Sequence, residues 1–312
     1  MQKIYKTNTE TKVLEEIHAI ETDCWISLVS PTAEEIQNVV EATGVDADLL
    51  TKMLDDDELP RIETSGNATL VVIDVPTYIN KDDKYTTYPL GTIITDNNYV
   101  ITVSLTNPVV LKPFIANKVS DFRTAKKVRF LIQIIANTAS QYVKVLDNVY
   151  RDIERGEDEL ERSPRNEDLL RMLALEKSLV YFTTSLKEND AVLERLQKGI
   201  ALPLYDEDRD LLDDAIIENR QAIDMSSIYY KILGSISETY ATITNNNLNY
   251  AMKFLAAATI VLSIPTIISS FLGMNVPFGI IGENPLSATV IFVGSIFLSL
   301  LAAVWLRKKG LL

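Results

Sequence analysis

The sequence predicts an α+β cytoplasmic domain, a long helical stalk and two C-terminal transmembrane helices. Charge is the first observation. Lys253, Arg307, Lys308, Lys309 and Glu283 are the only charged residues from 253 onward, so 26 of the 30 basic and 42 of the 43 acidic side chains lie in the first 252 residues, a net of −16 there. The second is a pair of uncharged apolar runs, 19 residues from Phe254 to Leu272 and 21 from Leu286 to Leu306. A bilayer core roughly 30 Å thick needs about 20 helical residues, so both runs have spanning length. The third is a stretch from Asp206 to Leu272 whose only proline is Pro265. As one helix it would be about 100 Å long at 1.5 Å per residue, far more than a membrane requires.

Residues 1–117 read as a cytoplasmic α/β domain. "CWISLVS" (Cys24–Ser30), "ATLVVIDVPTYI" (Ala68–Ile79), "TYPLGTIITD" (Thr87–Asp96) and "NYVITVSL" (Asn98–Leu105) are rich in β-branched residues and bounded by turn formers, so they predict strands. "PTAEEIQNVVEATG" predicts a helix, with Thr32 as cap, Glu35 three residues on, and Gly44 closing it. Residues 118–205 predict an antiparallel helical hairpin, one arm running from Thr124 to a break at Ser163-Pro164, the other from Arg165 to Gly199. Residues 206–272 form the stalk and first span (254–272), 273–285 an outer loop, 286–306 the second span and 307–312 a basic cytoplasmic tail. Apolar positions on so long a stalk need partners, which predicts an oligomer.

Lys253 precedes the first span, Arg307-Lys308-Lys309 follow the second, and the loop between has no Lys or Arg. The positive-inside rule then places both termini in the cytoplasm of a multi-pass protein of the cell membrane. A single cysteine, Cys24, and a first segment without an apolar signal-peptide core fit that placement. An acidic body repels nucleic acid, which excludes that partner, and concentrates cations. The sequence offers no phosphate loop, no zinc-spaced Cys/His set and no Ser-His-Asp arrangement, with His18 its one histidine, so an enzyme is not expected.

Ser270, Thr266, Ser263, Thr259, Ala256, Met252 and Asn249 follow one another at alternating steps of three and four, and the same line continues through Glu238. All are small, polar or Met. One reading is close helix packing with hydroxyls bonded across the contact or to their own carbonyls; the other is a face lining a polar pathway. Asn249 and Glu238 at the inner mouth favour the pathway. Ser287, Thr289, Gly294, Ser295 and Ser299 in the second span look scattered, which predicts a lipid-facing outer helix. Neither span holds an ionisable residue, so a proton-coupled mechanism is disfavoured and a potential-driven channel favoured.

A stalk running into a first span that ends in Gly273-Met274-Asn275, a short outer loop, a second span and a basic tail resemble the CorA family of magnesium channels, and "DDDELPRIE" (Asp55–Glu63) resembles its cytoplasmic domain. The resemblance covers the whole chain and is best in 206–312. It implies a funnel-shaped homopentamer in membrane lipid, with five first spans around the axis and Asn275 presenting its side-chain carbonyl to the incoming ion. Magnesium suits that ring. Mg²⁺ sheds its waters reluctantly and prefers hard oxygens, and neutral amides can hold its hydration shell without stripping it. The bland alternative makes Gly273 a helix-ending C′ glycine and Asn275 a turn residue. Pro265 could free the Val261 carbonyl toward the polar line.

The family commonly has an aromatic before the glycine, where this chain has Leu272, and a more acidic outer loop than one holding only Glu283. The resemblance also implies gating by cytosolic Mg²⁺ bridging carboxylates of neighbouring subunits. The stalk carboxylate of that regulatory metal site falls on Asp214, beside Asp213 and near Asp210. The opposing acidic position falls on Lys52, leaving Asp55 and Asp56 as substitutes or gating of another kind. The acidic start of the stalk alternatively reads as a solvated helix N-terminus. Mg²⁺ is thus the expected cargo and regulator, with no organic cofactor. The alternatives are a related Zn²⁺, Co²⁺ or Ni²⁺ transporter and a membrane-anchored acidic sensor or scaffold.

Overall fold

The computed structural model of the chain describes residues 1–79, 84–162, 166–199, 202–274 and 285–311. It separates into two compact units, Met1–Ile236 and Ser237–Leu312. The expected break at Ser163-Pro164 lies outside the described residues.

The first unit is built on a seven-stranded sheet: β1 Gln2–Thr7, β2 Leu14–Ile17, β3 Trp25–Val29, β4 Arg61–Ser65, β5 Ala68–Ile79, β6 Lys84–Thr95 and β7 Val100–Ser104, in spatial order β2-β1-β3-β7-β6-β5-β4. Only β3 and β7 run parallel, so the domain is α+β with a mixed sheet. The sequence pattern misses β1, β2 and β4. Each is short and largely polar, and becomes a strand because its neighbour offers a ladder, β1 against both β2 and β3 and β4 against β5.

Alternation along the strands sorts the core into two layers. Val71, Ile73 and Val75 of β5, with Trp25 and Val100, pack against Phe114, Phe122, Phe130 and the helices that follow. Leu70 and Val72, with Ile26, Leu28, Ile101 and Val103, pack against α1 (Ala33–Thr43) and α2 (Ala47–Thr51). Thr32 and Glu35 form the expected capping box, and Gly44 closes α1 at φ +71. Gly91 of β6 is required by space: a Cβ there would lie 2.5 Å from the side chain of buried Met53.

After the four-residue α3 (Lys112–Ile115), the helices α4 (Lys127–Arg162) and α5 (Asn166–Gln197) cover the first layer. β4 pairs with β5 only as far as Val72, and β7 pairs with β6 only from Gly91. The rest of the β5–β6 hairpin extends past both partners, which is why Pro76 and Pro89 are tolerated in its strands. Its free edge is closed by α5. The Asn189 carboxamide accepts from the Asp74 N–H at 2.9 Å and donates to the Asp74 carbonyl at 2.8 Å, as a neighbouring peptide would. Asn117 does the same at Leu14 of edge strand β2. Both edges are thereby blunted against further pairing.

The last two helices are α6 (Asp206–Leu272) and α7 (Pro285–Lys308). The uninterrupted 67-residue α6 matches the predicted stalk and first span, Pro265 included. Both helices contain windows long and apolar enough to cross a membrane.

Candidate functional site

The predicted polar line lies along one side of α6. At about 100° per residue, Asn249, Met252, Ala256, Thr259, Ser263, Thr266 and Ser270 stay within a narrow sector. All are exposed except half-buried Ser263. Glu238, at the start of the line, is also exposed. The hydroxyls are not idle. Thr259 donates to the Leu255 carbonyl at 2.8 Å, Ser263 to Ile260 at 2.8 Å and Thr266 to Leu262 at 3.0 Å. A hydroxyl has one hydrogen and two acceptor lone pairs. With each hydrogen turned back into the helix, the stripe presents oxygen acceptors outward, which is chemistry for a cation or its hydration water and not for an anion.

The opposite side of α6 is where burial falls in the second unit. Ala257 is 2% exposed, and Val261, Ile264, Pro265, Ile268 and Leu272 are half-buried. On α7 the buried residues are Ser295 at 3%, Ser299 at 9% and Leu306 at 3%. Residues 295, 299, 302 and 306 share one side of a helix, so α7 turns a defined small-residue face inward. The expectation of scattered polar residues in the second span is therefore corrected. Ser295 and Ser299 form a packing face, their hydroxyls bonded to Phe292 and Ser295 carbonyls. Small residues allow close approach where no hydrophobic force operates. A second correction concerns Pro265. The carbonyl it leaves unbonded belongs to Val261, on the side away from the polar line.

α6 ends at Leu272. Gly273 bonds back from its N–H to the Ser269 carbonyl at 2.9 Å, and Met274 to Phe271 at 3.4 Å. Gly273 does not adopt the left-handed conformation of a C′ glycine, and a Cβ there would meet nothing closer than the Ser269 carbonyl at 3.4 Å. Neither backbone conformation nor space among the described residues requires glycine at that point. Met274 is exposed, and Asn275 lies outside the described residues.

The candidate regulatory carboxylates are placed but not gathered. Asp55 and Asp56 are exposed in the turn before β4, with Asp55 accepting from the Asp57 N–H at 3.0 Å. Asp210 and Asp214 are exposed on the first turns of α6, and Asp213 accepts from Gln197 at 2.7 Å. Among the described residues, no three His, Cys, Asp or Glu side chains are close enough to hold a metal. Lys52 carries its own counter-charges. Its ammonium lies 2.7 Å from Asp48 and 3.1 Å from Glu63, and these bonds hold its pKa up. Hydrogen bonds from Lys52, then Arg61, hold the Glu63 carboxyl below its usual range.

Two carboxylates were missed by sequence reasoning. Asp208, buried in the first turn of α6, is 3.3 Å from Arg129 of α4, which also reaches Asp121 at 3.2 Å. In "DEDRDLLDD" nothing distinguishes the one aspartate that turns inward. Asp74, in the middle of β5, is buried against α5 with Ser185 donating to it, and burial pushes its pKa up to about 6. The lone acid in an apolar strand run was its only signal.

The sequence matches the family described as CorA-like Mg²⁺ transporter protein over residues 21–308. It is 27% identical over 290 residues to the cobalt/magnesium transport protein CorA of Methanocaldococcus jannaschii, covering 92% of this chain and 90% of that protein. The fold is similar to the complete structure of the CorA magnesium transporter from the same organism, with a TM-score of 0.87 at 24% identity over 100% of this chain and 99% of the other. It is also similar to full-length CmaX, with a TM-score of 0.69 at 14% identity over 99% and 96% of the two chains.

Proposed function

The chain belongs to the CorA-like Mg²⁺ transporter family, a family of divalent-cation transporters, and we propose that it forms a channel for Mg²⁺ uptake across the cytoplasmic membrane. A doubly charged ion moving down the potential gains about 4.6 kcal/mol per 100 mV, twice the single-charge value. The single observation that carries the reading is the outward row of oxygen acceptors on α6, on the side that α7 leaves uncovered.

In this reading five copies surround one path. Gly273, Met274 and Asn275 form the outer filter, while Ser270, Thr266, Ser263, Thr259, Ala256, Met252, Asn249 and Glu238 line the way inward. The α+β domain (1–117), hairpin (118–205) and stalk are cytoplasmic, as are both termini. Cytosolic Mg²⁺ bridges Asp210, Asp213 and Asp214 of one copy to Asp55 and Asp56 of the next and holds the path closed. Lys52, already neutralised by Asp48 and Glu63, leaves that bridge to the exposed aspartates. Co²⁺ is a second cargo, favoured by the name of the 27%-identical relative.

The test is flux of Mg²⁺ and Co²⁺ into proteoliposomes under an imposed potential, for wild type and Asn275→Ala. Flux in the wild type and its loss or altered cation preference in the variant support the reading. Identical flux in both, or none in either, removes it.

A further inference from the structure

Every ion pair among the described residues lies at or before Arg220. Lys253 at the start of the first apolar run and Arg307, Lys308 and Lys309 at the end of α7 have no carboxylate partner among the described residues. In a chain of 43 acidic and 30 basic side chains that is unexpected, because counter-charges are plentiful elsewhere. Lys253 opens the first apolar run and Arg307, Lys308 and Lys309 close the second, so two antiparallel spans, as the membrane reading has them, set all four cations at one membrane face.

The basic turn is built, not frayed. Gly310 takes φ +70 and bonds to the Arg307 carbonyl at 3.1 Å, and Leu311 bonds to Leu306 at 3.0 Å, which closes the helix in a left-handed cap. Lys309 lies 5.8 Å from the centroid of the Trp305 ring. Arg307 and Lys308 fall off the inward side of α7 defined by Ser295, Ser299 and Leu306, and Trp305 is 60% exposed beside them. Exposed tryptophan next to cations at the end of a spanning helix suits the headgroup layer.

No acidic side chain of this unit in a second copy lies near enough along the sequence to supply the missing charge. Between residues 239 and 311 the only acid is Glu283, beyond the opposite end of both apolar runs, and Glu238 precedes Lys253 by fifteen residues, about 22 Å along a helix. At this level the charged side chains of each copy are all cations.

We infer that Lys253, Arg307, Lys308 and Lys309, with Trp305, form a binding belt for the headgroups of anionic phospholipids. Clustered basic residues next to a span attract such lipids by charge, and the phosphodiester matches Arg and Lys donors. The inference rests on the membrane reading above.

The two tryptophans provide the test, since Trp25 is fully buried in the first unit and Trp305 is exposed. The full-length protein is reconstituted with brominated phosphatidylglycerol or brominated phosphatidylcholine at equal mole fraction. Preferential quenching of Trp305 by the anionic lipid, by about threefold or more in apparent association, is expected at low salt. It should shrink at high salt, persist with added inorganic phosphate, and fall toward parity in Arg307→Gln/Lys308→Gln/Lys309→Gln. Equal quenching by both lipids in the wild type overturns the belt while leaving the membrane reading intact. Quenching by neither overturns that reading as well. Preference abolished by inorganic phosphate would make the site one for free phosphate and overturn the lipid assignment. Should the triple variant fail to insert, the salt dependence of the wild type decides: a salt-independent preference overturns the belt.

Discussion

In Met1–Ile236 the large side chains Trp25, Phe114, Phe130 and Phe182 are fully enclosed, whereas in Ser237–Leu312 Phe254, Leu262, Phe292 and Trp305 stand exposed. The first unit also pairs most of its buried polar groups internally, with Thr92 Oγ1, Arg129 Nε and Gln133 Oε1 the exceptions among the described residues. Trp25 donates to Thr102, Asn117 and Asn189 close strand edges, and its ion pairs are numerous. Among the described residues the second has no ion pair, and the hydroxyls of Thr259, Ser263, Thr266, Ser295 and Ser299 bond to carbonyls of their own helix. The contrast separates two solvents. A water-soluble unit must bury apolar surface against itself, whereas a helix pair in lipid needs only a close-fitting seam and satisfied hydrogen bonds.

That contrast breaks most readily at the cores. Phe130→Ala should cost the first unit about 3–5 kcal/mol, read as a lower denaturation midpoint by Trp25 fluorescence. Phe292→Ala, on the exposed side of α7, should leave that midpoint unchanged. A similar shift from both would mean that the two units do not bury apolar surface differently.

The buried Asp74 gives the next effect. Its pKa is raised from 3.8 to about 6 by burial, with Ser185 opposing and Glu188 adding to the shift. A raised carboxyl pKa means the folded state binds the proton more tightly. Its stability contribution is therefore full below about pH 4 and lost as pH rises through 6. Asp74→Asn should then stabilise the unit at pH 7.5 by up to about 3 kcal/mol, the advantage vanishing toward pH 4. A pH-independent difference would remove the titration from the explanation. Smallest is Thr32→Ala, which loses the hydroxyl arm of the capping box while the Glu35 arm to the backbone N–H of residue 32 remains, and should cost about 1 kcal/mol, measurable as a small downward midpoint shift.

Much of this architecture was legible because it follows periodicity. α1 with its caps, the full run of β5 and the 67-residue α6 carry clear local signals. β1, β2 and β4 do not, since "QKIYKT", "LEEI" and "RIETS" acquire strand character only from their partners. The polar line on α6 stood out against Ile, Leu and Phe. The Ser295–Ser299 seam on α7 was hidden because a helix apolar all round hides which side is inward, although the four-residue spacing of the two serines was an available clue. The alternative reading of Gly273 as a C′ glycine followed from the common use of glycine; α6 does end just before it, but its backbone is not left-handed. The proposed regulatory site has no counterpart within one chain: among the described residues, no three His, Cys, Asp or Glu side chains lie close enough to hold a metal.

The central claim, that the Thr259–Ser263–Thr266 side of α6 faces water while its other sides face lipid or α7, can be tested by cysteine accessibility. The native Cys24 is buried and is the chain's only cysteine. Thr259→Cys, Ser263→Cys and Thr266→Cys should react with a charged, membrane-impermeant thiol reagent in proteoliposomes, lose divalent-cation flux on reaction, and be protected by Mg²⁺. Leu262→Cys and Ser295→Cys should be inert. Equal reactivity at all five positions, or labelling of Leu262→Cys alone, would contradict a cation path along this face.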